Sequence, residues 1–207
     1  IPTTDAEVRL LSRFLRIGPS RLFLPSHEVV ALCQDKYALA CRLRDRKVPA
    51  PATYPVTGLD DIPALFEFFQ PHAMLWCRTR TGYGSTAAAP VKTPEQAQGW
   101  ISYWHEMRDV PVASFTLSEY LPGRDLSCQG LWKNGELVVI KASERLAYFV
   151  VGGAPSGVSS TSALGKTVRE PTVVDTCAAA LRALGPDVSG TFNFDLKENA
   201  AGVACIT

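Results

Sequence analysis

Asn134-Gly135 stands between two apolar runs, Asp125 to Lys133 and Glu136 to Arg145, and it is the strongest short-range hairpin signal in the chain. The two-residue turn that matches the twist of paired strands needs positive φ at both central positions, which asparagine tolerates and glycine adopts freely. The chain therefore contains antiparallel strands, and the neighbouring segments extend the pattern. Phe115 to Tyr120 reads as a strand before the hairpin. After it come a Gly/Ser/Thr-rich stretch, Gly152 to Thr167, that reads as a mobile loop, a helix from Val173 to Leu184, a strand from Thr191 to Leu196 and a last strand from Val203.

The first half alternates helical and strand patterns. Thr4 and Asp5 precede apolar residues at helical spacing, Val8, Leu11 and Leu15, up to Gly18-Pro19. A short apolar run, Val29 to Cys33, leads to a helix opened by Asp35, with Tyr37, Leu39, Ala40 and Leu43 inward and Arg42, Arg44, Asp45 and Arg46 outward. Strands at Tyr54 to Val56, Met74 to Cys77 and Ala88 to Val91 are separated by a helix from Asp60 to Phe69 and a glycine-containing loop. A helix from Pro94 to Arg108 follows, its proline suited to the first turn. The pattern is α+β, with a smaller αβ lobe followed by an antiparallel αβ lobe.

Charge and cysteine usage narrow the partners. Lysine plus arginine number 21 against 20 aspartate plus glutamate, so no global field draws the chain to nucleic acid or an anionic membrane, and any anion site is local. The six cysteines show no C-x-x-C pair, and reduced, packed thiols are expected. Runs such as Leu137 to Ile140 are far shorter than the roughly 20 residues that cross a bilayer. A soluble, cytoplasmic protein is the expectation, with a homo-oligomer compatible. A start at Ile1 and a stop at Thr207 inside a strand read as a fragment.

Three segments have the chemistry of a site. Arg78-Thr79-Arg80-Thr81-Gly82-Tyr83-Gly84-Ser85 joins two guanidinium groups to an NH-rich turn that can grip phosphate, although an ordinary turn with solvent-facing arginines competes with that reading. Ser118-Glu119-Tyr120-Leu121-Pro122-Gly123-Arg124-Asp125 is a rigid connection whose backbone could read a base edge and whose carboxylates could take ribose hydroxyls; it could equally be a plain loop. Asn193-Phe194-Asp195 sets two oxygen ligands on one strand face, with Phe192 and Phe194 on the other. That suits magnesium, which needs few protein ligands; an exposed sheet face is the alternative. The three histidines lack zinc spacing, and no serine sits in a nucleophile elbow. Trp100 and Trp104, one helical step apart, should pack together.

In order, a helix beginning Gln34-Asp35-Lys36, a strand ending in a basic residue before Thr-Gly-Tyr-Gly-Ser, then Ser-Glu-Tyr-Leu-Pro-Gly-Arg-Asp and Gly190-Thr-Phe-Asn-Phe-Asp195 resemble the ATP-grasp superfamily. The likeness is to the ATP-grasp domains of the carbamoyl phosphate synthase large chain and its stand-alone relatives, and it covers nearly the whole chain. It implies a tail of a preceding domain at 1–24, a small lobe at 25–113 and a large lobe at 114–207, incomplete at its end, with ATP between two antiparallel sheets.

The resemblance also implies roles. Lys36 contacts the nucleotide phosphates, Arg78 the α-phosphate and adenine side, and Gly82, Gly84 and Ser85 close over the β- and γ-phosphates. Glu119, Tyr120 and Leu121 form the hinge that binds adenine, Asp125 lies near the ribose-binding acid, where glutamate is common, and Asp195 with Asn193 binds magnesium. The family's following Glu-x-Asn metal segment and arginine are expected beyond Thr207, and with them part of the catalytic set. The implied activity is ATP- and magnesium-dependent joining of a small carboxylate to an amine or similar acceptor through an acylphosphate. The rivals are a catalytically silent ATP-binding module and a non-nucleotide interaction protein.

Overall fold

The computed structural model describes the chain except residues 1, 3, 15, 18, 19, 83, 86 and 150–160. Helix α1 (Asp5–Leu11) starts with a capping box in which Thr4 accepts from the Glu7 amide while the Glu7 side chain reaches back to the Thr4 amide. It ends earlier than the apolar spacing predicts: Ser12 turns its hydroxyl to the Arg9 carbonyl, 2.8 Å away, and to His27, and no residue of α1 is buried. Two short paired strands, β1 (Arg16–Ile17) and β2 (Ser20–Arg21), follow.

The run Val29 to Cys33 lies inside a helix, α2 (His27–Gln34), whose first turn is capped by Ser26. Asp35 then caps α3 (Lys36–Asp45) by accepting from the amides of Tyr37 and Ala38. The next elements are β3 (Thr53–Pro55), a 3₁₀ turn (Leu59–Asp61) running into α4 (Ile62–Phe68), β4 (Leu75–Thr79), β5 (Ala89–Val91) and α5 (Pro94–Arg108). Helix α5 is capped by Thr93, has proline in its first turn, and buries Ala97 and Ile101. As expected, Trp100 packs on Trp104, ring centroids 5.9 Å apart.

Strand β6 (Phe115–Glu119) pairs with β3 and β4, giving a four-stranded antiparallel sheet ordered β3-β6-β4-β5. The resemblance had placed residues from 114 onward in the second lobe; pairing puts β6 in the first, so the chain crosses between sheets after Glu119. In that sheet Phe115 and Leu117 are buried in the core that α4 and α5 cover.

The second sheet, ordered β11-β10-β7-β8-β9, comprises β7 (Asp125–Lys133), β8 (Glu136–Tyr148), β9 (Ser162–Val168), β10 (Gly190–Glu198) and β11 (Ala204–Ile206), all antiparallel. The Asn134-Gly135 hairpin is as expected, with φ of 51° and 79°. A Cβ on Gly135 would stand 2.0 Å from the Pro186 carbonyl oxygen, so the turn is held against a neighbouring loop that only glycine accommodates. The Gly/Ser/Thr-rich stretch is not all loop: Ser162 to Thr167 lies in β9, while residues 152–160 fall outside the described residues. Its short polar side chains hide the strand from a hydrophobicity pattern, since β9 is exposed along nearly its whole length.

Helix α6 (Pro171–Leu184) packs Val173, Cys177, Ala180 and Leu181 beneath this sheet. Trp132, 1% exposed, fills the centre of that core, with the rings of Phe192 and Phe194 edge-on at 5.9 and 5.6 Å. Gly130 makes the room, for a Cβ there would come 2.5 Å from the indole. Leu43 of α3 and Val48 join the same core, so α3 packs on the second lobe although it precedes the first lobe's strands. All six cysteines are free, and four are buried. Among the described residues no helix is long and apolar enough to cross a membrane.

Candidate functional site

Between the two sheets lies a cleft of about 1590 Å³, above the roughly 300–1,000 Å³ of common small-molecule sites, with room for more than one ligand. On β4, Cys77 points into the core and Arg78 to the opposite face, along the cleft wall. The Arg78 Nε is shut off from solvent and has no hydrogen-bond partner among the described residues. Among the described residues the one other such side-chain atom is the indole nitrogen of Trp104, in the first lobe. Burial pushes the Arg78 guanidinium down to about 10, partly offset by the charge of Asp195, and it remains a cation at neutral pH.

Lys36, the first residue of α3, donates from Nζ to the Gly82 carbonyl at 2.6 Å. Burial first, and the charge of Arg78 second, push its amine down to about 8 from the ordinary 10.5, with Asp5, Asp35 and Asp195 opposing. Neither cation forms an ion pair among the described residues. Two neighbouring half-buried cations repel and are each incompletely solvated, and an anion between them would relieve both costs. Anion affinity is therefore expected to fall as pH rises past about 8, as Lys36 loses its proton. Calorimetric titration with ATP at pH 7 and pH 9 checks this, and Lys36→Met should flatten the dependence. In the ligand-free chain the sign reverses. The folded amine holds its proton less well than the unfolded one, so Lys36 adds stability as pH rises from about 8 to 10.5.

The opposite wall is one face of the second sheet. Asp125 pairs across to Lys197, and Arg145 sits one step beyond the Leu126–Glu144 pair, so these three side chains form a row over three strands. Arg145 Nη1 donates to Asp125 at 3.3 Å and its Nη2 to Asp195; Asp125 also accepts from the Tyr148 hydroxyl, and Lys197 stands 3.7 Å away. Register irregularities between Arg145 and Tyr148 bring residues three apart to the same carboxylate, which a regular strand would place on opposite faces. Beyond the cleft, Arg124 ties the connection after Gly123 to Glu170 at 2.7 Å and Glu198 at 2.6 Å, fixing the crossing between the sheets.

Asn193 and Asp195 do share a face, both exposed, opposite buried Phe194. Among the described residues no group of three or more histidine, cysteine, aspartate or glutamate side chains is placed to hold a metal. One carboxylate and one carboxamide fit magnesium when phosphate oxygens and water complete its shell.

No family model matches the sequence, and no curated protein matches it. The fold does have relatives among solved structures. D-cycloserine synthetase superposes with a TM-score of 0.70 at 17% identity, over 98% of this chain and 68% of that one. The L-amino acid ligase of Bacillus licheniformis gives 0.69 at 11% identity, over 98% and 44%. A carboxyaminoimidazole ribonucleotide synthase from Aspergillus clavatus, solved with ATP, gives 0.66 at 11% identity, over 99% and 50%. The chain has the ATP-grasp fold. It spans about half the length of most of these ATP-grasp structures.

Within the ATP-grasp fold, Lys36, Arg78, Gly82, Gly84, Ser85, Glu119, Tyr120, Leu121, Asp125, Asn193 and Asp195 all line the one cleft. Gly82, Gly84 and Ser85 have φ of 108°, 70° and 58°; Tyr83 between them lies outside the described residues. Arg80 departs from the expectation for its loop. It turns from the cleft to Asp35, 2.5 Å away, and lies over the Tyr37 ring at 5.2 Å. The sequence reading passed over Arg145, Tyr148 and Lys197. The signal available was weak, an arginine and a tyrosine three apart at the end of an apolar strand.

Proposed function

We propose that the chain is the nucleotide-binding core of an ATP- and magnesium-dependent ligase that joins a carboxylate to an amine or similar nucleophile through an acylphosphate. The observation that carries this reading is the pair Lys36 and Arg78: two half-buried cations with no ion pair among the described residues, one with an enclosed and unpartnered Nε, facing a cleft between two sheets. Phosphate oxygens are the anions such donors recognise best, and arginine offers them a planar fork.

In this reading Lys36 and Arg78 neutralise phosphate charge, and the backbone around Gly82 to Ser85 covers the phosphates and excludes water. The backbone at Glu119 to Leu121, where the chain crosses between sheets, takes the adenine, and Asp125 is the ribose-binding acid. Asn193 and Asp195 hold magnesium, which supplies further charge neutralisation when bound. Residues 1–24 are the tail of a preceding domain. The finer likeness, to carbamoyl phosphate synthase, rests on the order of the sequence motifs and is part of the proposal.

A melting curve with and without magnesium and ATP tests the reading. Ligand at about 100 times its Kd should stabilise the chain by roughly 2–3 kcal/mol, which for a chain of this size raises Tm by about 4–12 °C. No shift would favour an interaction protein whose glycine loop and acids are incidental. The rival reading, a silent ATP-binding module, keeps the same cleft. It predicts the same stabilisation with no phosphate released in the presence of any carboxylate and amine.

A further inference from the structure

We propose that Arg145 is a built-in counter-ion that keeps the acids of the cleft closed to a divalent metal until nucleotide phosphates draw its guanidinium away. This deepens the nucleotide reading and rests on it. A single side chain, 17% exposed, bridges the two carboxylates that the reading gives to ribose and to metal, Asp125 and Asp195. Asp125 also has Tyr148 and Lys197, so without ligand its oxygens are already supplied with donors.

A metal ion approaching alone would meet one Asp195 oxygen already taken and a fixed positive charge beside it. Both act against a dication, and the repulsion is stronger in a partly desolvated cleft than in water. A bound triphosphate changes the balance. It offers the guanidinium an anion as well matched as a carboxylate, and it brings oxygens of its own to the metal. The side chain is built to be held here rather than left to chance: the irregular register between Arg145 and Tyr148 aims both residues at Asp125. The consequence is an order of binding, in which metal enters with nucleotide or after it.

Manganese is the probe, with free Mn2+ followed by electron paramagnetic resonance on the 207-residue chain without nucleotide. Wild type should bind Mn2+ weakly, and Arg145→Met at least about tenfold more tightly, the effect of freeing carboxylates from two partly exposed ion pairs. Arg145→Lys, whose single ammonium cannot fork across both acids, should gain roughly threefold or more. Equal Mn2+ affinity in all three proteins, or weaker binding in the variants, overturns the proposal. If circular dichroism shows Arg145→Met unfolded, Arg145→Lys decides alone: a gain supports the counter-ion and no gain removes it. The two readings fail separately. Wild type unmoved by magnesium and ATP in the melting curve sinks the nucleotide reading, whereas a normal ATP response with unchanged Mn2+ affinities sinks only the role of Arg145.

Discussion

Arg78→Met is expected to weaken ATP binding by roughly 10- to 100-fold, the loss of charge-assisted hydrogen bonds worth about 1.5–3 kcal/mol, without destabilising the ligand-free chain. The second half of the prediction separates a binding residue from a structural one. A half-buried guanidinium with an enclosed, unpartnered Nε and no ion pair among the described residues contributes little to folding, and an apolar side chain of similar length removes its desolvation cost. The unliganded variant should therefore melt at the wild-type temperature or above it. Titration calorimetry with ATP and a melting curve without it give the two readings. Arg78→Lys should recover part of the affinity, since charge returns without the planar fork. If ATP binds the methionine variant as tightly as wild type, Arg78 does not face the nucleotide. If that variant melts well below wild type, its cation is satisfied within the fold and the argument for an anion site loses its main support.

Trp132→Ala should have the largest effect on stability, about 3–5 kcal/mol, which for a chain of this length lowers Tm by roughly 6–20 °C. The indole is 1% exposed, is flanked edge-on by Phe192 and Phe194, and occupies space left by Gly130. A backbone held by paired strands on both sides cannot collapse into the void, so both the lost burial and the cavity count. The consequence reaches the cleft, because Phe192 and Phe194 alternate along β10 with Asn193 and Asp195 on the other face. Loss of the support beneath the strand should loosen the Asn193 and Asp195 side chains above it. Thermal and urea unfolding of Trp132→Ala and Trp132→Phe measure this, with phenylalanine recovering part of the loss. A cost below about 1 kcal/mol for alanine would mean that this core is not built on the indole.

The local determinants were legible because they act over a few residues. Thr4 and Asp35 are caps whose side chains reach amides two or three positions on, and Asn134-Gly135 is a turn whose φ values need those residue types. Alternation along β10 put Phe194 in the core and Asp195 in the cleft, as a period of two requires. The cleft residues from Lys36 to Asp195 were reached through the order of motifs, and the structure brings them to one cavity.

Other features were invisible for an equally physical reason. Whether Phe115–Glu119 joins the first sheet or the second depends on which strands lie beside it, and its apolar alternation suits either. Helix α3 carries an apolar face that says it packs, but not that it packs on Leu181 and its neighbours nearly 140 residues later. Arg78 and Arg80 have the same chemistry two residues apart; only the position of Asp35 sends one to an ion pair and leaves the other in the cleft. The register irregularity after Arg145, which aims Arg145 and Tyr148 at one carboxylate, arises from pairing with β9, a strand with no hydrophobic pattern to announce it. Sequence alone determined most of the elements, the caps and turns that start them, and the chemical types available to a site, since these follow from backbone preference and short-range hydrogen bonding. Tertiary structure decided which charges meet and which stay unneutralised, because ion pairing depends on distances between strands that no spacing along the chain encodes.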